Sequence, residues 1–418
     1  MKTGEHFDAL ETRDPEQRER EHLGQLARQI AHAKAHAPAF ARILAAVDPA
    51  MVTSRTALAQ IPVTRKSELL EIQKAARPFG GFSASRWAHG SEGPARVFAS
   101  PGPIYEPEGR GADYWRMARA IYAAGFRRGD LVHNCFAYHF TPAGSMFETG
   151  AHALGCTVFP GGTGQTEQQV HAIADLGPAG YVGTPSFLKI IVEKADEMGV
   201  AIPSLTKALV SAEPFPASLR DALLARGIAG FQVYGSADLG NVAYETEARS
   251  GLVVDEGVLV EIVRPGTGDP VAPGEVGEVV VTALANTDYP LIRFGTGDLS
   301  AVLPGASPCG RTNLRIKGWM GRADQTTKVK GLFVHPAQVA AIVARHPEIG
   351  RARLVVEAGG GGDRMTLHVE VAANRSSNAE AIIASIRDVT KLRGEVVFHA
   401  PGELPNDGKV IEDSRTFD

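Results

Sequence analysis

Lys409 closes the run Pro405-Asn406-Asp407-Gly408 near the end of the sequence. An ammonium is a compact point charge on a long stem, and a turn-forming run with glycine beside it could carry that charge across a cleft on a mobile loop. Cationic charge placed this way serves reactions in which negative charge builds up in the transition state. Asp298, after Gly297, has a carboxylate with acceptor pairs for a bidentate hydrogen bond, unless it is a simple turn aspartate. Tyr234 and Gly235 end a strand-like run. There an aromatic face could stack on a flat ring and a glycine could admit a close backbone approach; a core tyrosine followed by a turn is the competing reading. Phe136, Tyr138, His139 and Phe140, with the small Ala143 and Gly144 after them, offer aromatic walls with room between, or simply core packing.

A chain of 418 residues is long enough for two or three units at about 150 residues each. With 44% hydrophobic and 22% charged residues it has the composition of an ordinary folded protein. Its 43 basic and 47 acidic residues nearly cancel, and no stripe of Lys and Arg is present, so nucleic acid is not an expected partner. The first forty residues are charged and lack a signal-peptide core, and no apolar run approaches the roughly 18 residues that span a bilayer. No membrane and a cytoplasmic location are expected. Cys135, Cys156 and Cys309 form no Cys-x-x-Cys pair and read as buried small hydrophobes in a reducing compartment; the thirteen histidines show no metal-ligand spacing.

Leu23, Leu26, Ala27, Ile30 and Ala33 recur at helical spacing, which predicts an amphipathic helix up to Pro38. Short β-branched runs at 96–99, 131–136, 180–183, 208–211 and 230–234 alternate with helix-like stretches such as 111–124 and 167–176. That rhythm predicts βα units around a largely parallel sheet. Beyond residue 252 it stops, and 258–263 and 278–282, separated by a Pro/Gly-rich stretch, read as antiparallel strands. After 321 the pattern predicts a strand at 328–334, a helix at 336–346, strands at 352–356 and 365–371, and a helix at 379–392. This is a small split β-α-β-β-α-β domain, with the glycine run 359–362 as a hairpin tip. The expected class is α/β: a large body, 1–322, of mainly parallel sheet flanked by helices with an antiparallel β subdomain, and a small mobile α+β domain, 323–418, carrying Lys409. No Gly-x-Gly-x-x-Gly after a strand, no Walker lysine loop and no internal repeat is found, which argues against a dehydrogenase or kinase.

Five segments in order resemble the adenylate-forming (AMP-binding) enzymes, most closely the phenylacetate-CoA ligase branch. They are Ala212-Glu213-Pro214, Tyr234-Gly235-Ser236-Ala237-Asp238, 293–298, Gly321-Arg322-Ala323-Asp324 and Asn406-Asp407-Gly408-Lys409. Residues 129–164, Gly183-Thr184-Pro185-Ser186 and Val334-His335-Pro336 share the likeness, which runs from about Pro62 to Lys409. The resemblance implies a ligase that turns a carboxylic acid and ATP into an acyl-adenylate and pyrophosphate, then forms a thioester with coenzyme A. Lys409 would be catalytic. Ala212, Glu213, Pro214, Tyr234, Gly235 and Ser236 would line the nucleotide, Asp298 would accept both ribose hydroxyls, and Arg322 would face the nucleotide as a cation. Asp324 matches the hinge between domains.

Asp238 falls where the family has a magnesium-binding glutamate, with a carboxylate withdrawn by about 1.5 Å, so the metal would shift or bind through water. Lys328 and Lys330 could meet the phosphates of coenzyme A, though exposed paired lysines are as often solubilising. Phe136, Tyr138, His139, Phe140 and Gly144 would form the acid pocket, implying an aromatic or arylacetic acid. A homodimer is left open.

The resemblance breaks at the phosphate loop. The family wraps the outer phosphates in a Ser/Thr/Gly-rich turn, whereas residues 99–108 read Ala-Ser-Pro-Gly-Pro-Ile-Tyr-Glu-Pro-Glu. Three prolines remove donors and two glutamates would repel a triphosphate. Ser100 and Gly102 remain as phosphate contacts, with Arg110 a substitute cation. Three accounts follow: another phosphate-binding arrangement, a weakened ATPase half, or a non-catalytic or regulatory ligand-binding homologue. An adenylating enzyme with a different acceptor is a further alternative.

Overall fold

Short apolar strands alternating with capped helices build the larger of two units into which the chain divides. In the computed structural model, which describes residues 5–87, 92–264, 266–320, 322–323, 327–330, 332–334, 336–359, 362–371, 378–405 and 409–415, that unit comprises Met1–Thr296 and Ser300–Trp319. The smaller unit comprises Gly297–Leu299 and Met320–Asp418. The first long helix, Pro15–His36, starts where the Asp14 side chain accepts from the Gln17 amide and proline fills the first turn. Its stripe of His22, Leu26, Gln29, Ile30 and Ala33 is buried, at the spacing an amphipathic helix requires. The same grammar recurs in Pro185–Met198, which Thr184 caps by accepting from Phe187 and which Gly199 stops at φ 66°.

Nine strands form the main sheet, in the order Val302–Leu303, Arg315–Ile316, Leu252–Val254, Gly240–Glu245, Ala229–Ser236, Lys207–Val210, Gly180–Gly183, Leu131–Asn134 and Thr157–Phe159. From Ala229–Ser236 through to Thr157–Phe159 the neighbours are parallel; on the other side they are antiparallel. Asn134 pairs with Val182, Gly183 with Val210 and Val210 with Gln232, so these parallel strands release their following loops along one carboxyl edge. A second sheet of Thr64–Arg65, Phe294–Ser300, Gly277–Ala283 and Val258–Val263 contains the expected antiparallel pair, Val258–Val263 with Gly277–Ala283.

Three elements differ from expectation. The run 96–99 stands outside the parallel sheet: Arg96–Ser100 turns back at Gly102 and pairs antiparallel with Ile104–Glu108. The helix predicted over 111–124 begins only at Met117. Asp113 captures the amides of Met117 and Ala118 at 2.9 and 3.1 Å, and Arg116 adopts φ 60°, so the preceding residues fold as turns that bury Trp115. The strand predicted over 328–334 is a hairpin, Thr327–Val329 against Leu332–Val334, which turns at Lys330 with φ 46°. It stands outside the small unit's main sheet, whose order is Glu395–His399, Gly362–Val371, Ile349–Gly359 and Ile411–Asp413. Ile411–Asp413 supplies the edge, parallel to Ile349–Gly359. Helices Pro336–Ala344 and Ala379–Thr390 belong to this unit, whose core gathers Val339, Ile342, Leu354, Leu367, Ile382 and Ile386. Among the described residues no helix is long and apolar enough to cross a membrane, and the three cysteines are free and buried.

His22, on the first helix, lies beside Arg13 at 2.9 Å and is 2% exposed. Burial, then the charges of Arg13, Arg55 and Arg18, lower its pKa to about 4. Between pH 6.5 and 4 the unfolded chain therefore holds the extra proton, so this contribution is complete above pH 6.5 and is lost as the pH falls. In urea unfolding, His22→Gln is expected to shrink the stability difference between pH 7 and pH 4.5 by about 2 kcal/mol; an unchanged difference would contradict this assignment.

Candidate functional site

The carboxyl edge of the parallel strands collects the polar positions of the large unit, as open α/β sheets do for their ligands. Ala212-Glu213-Pro214 follow Lys207–Val210 and are exposed; Ala212 adopts φ 69°. The Ser186 amide, one loop over, lies 3.4 Å from Glu213 Oε2. Tyr234, Gly235 and Ser236 end the next strand. Tyr234 is packed in the core and its hydroxyl meets Thr296 Oγ1 at 3.2 Å. A side chain on Gly235 would come within 2.4 Å of the Gly240 carbonyl, so the turn to the adjacent strand already demands this glycine.

Asp238, two residues past that strand, is 1% exposed. Its Oδ2 accepts from Lys66 Nζ at 2.5 Å, while Oδ1 is buried with no hydrogen-bond partner. Lys66 opens the helix Lys66–Ala75, and Gln73 of the same helix clasps Tyr105 at its amide and carbonyl, at 2.8 and 2.9 Å. One helix thus places the cation against Asp238 and fastens the hairpin Arg96–Ser100/Ile104–Glu108, the segment the sequence likeness sets against the family's phosphate loop.

That hairpin treats its two glutamates differently. Glu108 accepts from Arg96 at 2.5 Å, Trp115 Nε1 at 2.9 Å and Ser145 Oγ at 2.6 Å, so it is a compensated structural group. Glu106, fully buried, accepts from the amide of Ser100 at 3.2 Å and from its hydroxyl. Burial pushes the Glu106 carboxyl up to about 8; the Asp238 charge adds to this and Lys66 and Ser100 oppose it. Ser100 therefore spends both donors on Glu106. Gly102 sits at the tip with φ 158°, and Arg110 bonds the Gly93 carbonyl at 3.3 Å.

The aromatic run separates into parts. Phe136 is core, stacked on Phe147 at 4.6 Å, whereas His139 is exposed and Phe140 is 77% exposed. Tyr138 is half-buried, its hydroxyl accepting from Asn134 at 2.7 Å. Gly144 does not open space as the sequence suggests: a Cβ there would meet the Ala137 carbonyl at 2.6 Å and the Tyr138 ring at 3.0 Å, so its role is close packing of a helix end.

Within the small unit, Arg322 donates to Asp298 at 2.9 Å, the two residues form an isolated antiparallel bridge, and the Ala323 amide meets the Gly297 carbonyl at 2.5 Å. Lys409 is exposed, and the next residue, Val410, is anchored by the Leu354 amide at 2.8 Å. Lys330 directs its own amide to Asp363 at 2.8 Å. Asp324 and the Lys328 side chain lie outside the described residues, as do 406–408. Among the described residues no group of three or more His, Cys, Asp or Glu is arranged to hold a metal ion. Lys66, Gln73 and the split between Glu106 and Glu108 escape sequence reasoning, because their partners lie 172, 32, 6 and 37 residues away.

Residues 112–286 match the AMP-binding enzyme family. The chain is 34% identical to the phenylacetate-coenzyme A ligase of Thermus thermophilus over 365 residues, covering 83% of this chain and 80% of that protein. It is 33% identical to the enzyme of the same name from Aromatoleum evansii, over 84% and 80% of the two chains. Among solved structures, a 2-hydroxyisobutyryl-CoA ligase in complex with 2-HIB-AMP and CoA matches with a TM-score of 0.76 and 25% identity, covering 97% of this chain and 92% of that one.

The Glu108 contacts predict a stability effect with no nucleotide present. Glu108→Ala leaves the Trp115 and Ser145 donors buried without an acceptor and should cost roughly 2–4 kcal/mol in urea unfolding. A loss below about 1 kcal/mol would show that the hairpin does not depend on this carboxylate.

Proposed function

Because the chain belongs to the AMP-binding enzymes, in their phenylacetate-coenzyme A ligase branch, we propose that it is an ATP-dependent acid–thiol ligase. It would convert a carboxylic acid to its acyl-adenylate with release of pyrophosphate, then transfer the acyl group to the thiol of coenzyme A. The observation that carries this reading is the shared carboxyl edge, with Tyr138, Glu213, Ser236 and Asp238 at or just beyond the ends of strands in the parallel part of the sheet.

In this scheme Ala212, Glu213, Pro214, Gly235 and Ser236 border the adenine, with Tyr234 supporting the strand end from the core. Asp298 takes the ribose hydroxyls, beside its bond to Arg322. Tyr138, His139 and Phe140 receive an aromatic acid, Lys330 and Lys328 the phosphates of coenzyme A, and Asp324 the hinge role. Lys409 supplies the ammonium that balances the charge gathered between the acid and the α-phosphate, two anions that otherwise repel.

Magnesium is proposed with the nucleotide, where it would neutralise phosphate charge. Asp238 fits the role, because its Oδ1 is buried and has no hydrogen-bond partner while Oδ2 is held by Lys66.

The test supplies ATP, coenzyme A and a panel of aryl acids, and measures AMP and thioester together. Acid-dependent AMP formation with thioester product is expected; AMP without thioester would indicate another acceptor, and acid binding with no AMP from any panel member would indicate a non-catalytic homologue. Lys409→Ala should lower adenylate formation by about a hundredfold or more while changing acid affinity by less than about twofold. Unchanged turnover would remove Lys409 from the mechanism.

A further inference from the structure

Where a phosphate-binding turn presents donors, the hairpin Arg96–Ser100/Ile104–Glu108 already holds an acceptor. Glu106 occupies both donors of Ser100, amide and hydroxyl, and both residues are buried. It is not free to swing aside with its strand, since Gln73 pins the adjacent Tyr105 at amide and carbonyl. The groups acting on it come from three other elements. Lys66, on the helix Lys66–Ala75, opposes its charge, and Asp238, past the strand Ala229–Ser236, repels it. The buried Tyr289 phenol is also within its electrostatic reach. The Lys66 ammonium is bonded to Asp238, and the second oxygen of Asp238 has no hydrogen-bond partner.

We infer that Glu106 is an internal acceptor seated in the hairpin, and that by holding both donors of Ser100 it makes the nucleotide site select adenosine monophosphate and its acyl esters over adenosine triphosphate. The inference rests on the proposed function, which sets this hairpin over the outer phosphates. A monophosphate or an acyl-adenylate carries nothing into that position. A triphosphate carries two further phosphates toward Asp238 and finds the Ser100 donors taken, so anion receptors are missing; above about pH 8, where Glu106 ionises, a further like charge meets them in a poorly solvated place. Glu106 is thereby a specificity-determining residue, acting through possession of the Ser100 donors and, above about pH 8, through charge as well.

Calorimetric titration of the full chain with AMP and with ATP at pH 9, where the Glu106 carboxyl is ionised, and without added metal, tests this. The natural protein should bind ATP about tenfold or more weaker than AMP. Glu106→Gln, which keeps the shape and removes the charge, should tighten ATP about tenfold more than it tightens AMP. Ser100→Ala removes one donor, keeps the carboxylate, and should leave the preference for AMP at least as large; it serves also where the glutamine variant fails to fold. Equal affinities for the two nucleotides in the natural protein, equal tightening of both by Glu106→Gln, or loss of the preference in Ser100→Ala would each overturn the inference. Acid-dependent AMP formation together with equal affinities would sink this inference alone, whereas binding of neither nucleotide would sink the proposed function with it.

Discussion

Two carboxylates removed from water within reach of each other, Glu106 and Asp238, set the condition the working face of the large unit has to meet. Burying one charge is expensive, and burying two of like sign is tolerable only if a cation and hydrogen-bond donors are fixed beside them. The helix Lys66–Ala75 meets that condition from one end to the other, with Lys66 on Asp238 and Gln73 holding the strand that carries Glu106. Hairpin, helix and strand end are consequently coupled. A shift in any one of them would expose the charge of another to an unmatched environment.

The N-terminal segment meets a similar cost in a different way. Asp8 accepts from Arg119, Glu256 accepts from Arg13 and Arg18, and Asp255 accepts from Arg116, all in buried or half-buried positions. Glu11 lies 3.1 Å from Arg311 and also accepts from the Tyr244 hydroxyl. Guanidinium groups suit this work because they stay charged and bond several acceptors at once. Each carboxylate in that network has a guanidinium partner, so it reads as a clamp fixing the first segment to the sheet. By contrast, Glu106 takes the two donors of Ser100 and has no guanidinium at hydrogen-bond distance among the described residues, while Lys66 bonds Asp238. Unequal compensation of this sort marks functional ground more often than structural ground.

Much of the fold was legible because it follows from local patterns. β-branched runs bounded by glycine and proline predicted the parallel strands, and the Pro/Gly-rich stretch before residue 278 predicted the antiparallel pair. Where the reading missed, a long-range or side-chain contact overrode the pattern. Asp113 delays a helix by capturing amides, and the run 328–334 holds enough β-formers for one strand but folds back on itself. The candidate site was legible as a set of motifs but not as a set of contacts. Alternation puts Glu106 and Glu108 on the same side of a strand, so no periodicity could tell the carboxylate held by Arg96, Trp115 and Ser145 from the one held by Ser100. Lys66 carries no local signal at all, since its meaning depends on a residue 172 positions later.

The same distinction bears on whether the proline-rich hairpin is a decayed phosphate loop. Decay would replace donors at random and leave the incoming side chains unsatisfied, which for a buried carboxylate costs several kcal/mol. Here the incoming carboxylate is fully buried, its strand is pinned, and both donors of the retained serine are turned onto it. Prolines at 101, 103 and 107 remove backbone freedom, so the acceptor is held in place at reduced entropic cost. A hairpin whose incoming carboxyl is seated on the retained serine is better described as rebuilt around its own acceptor than as a random remnant.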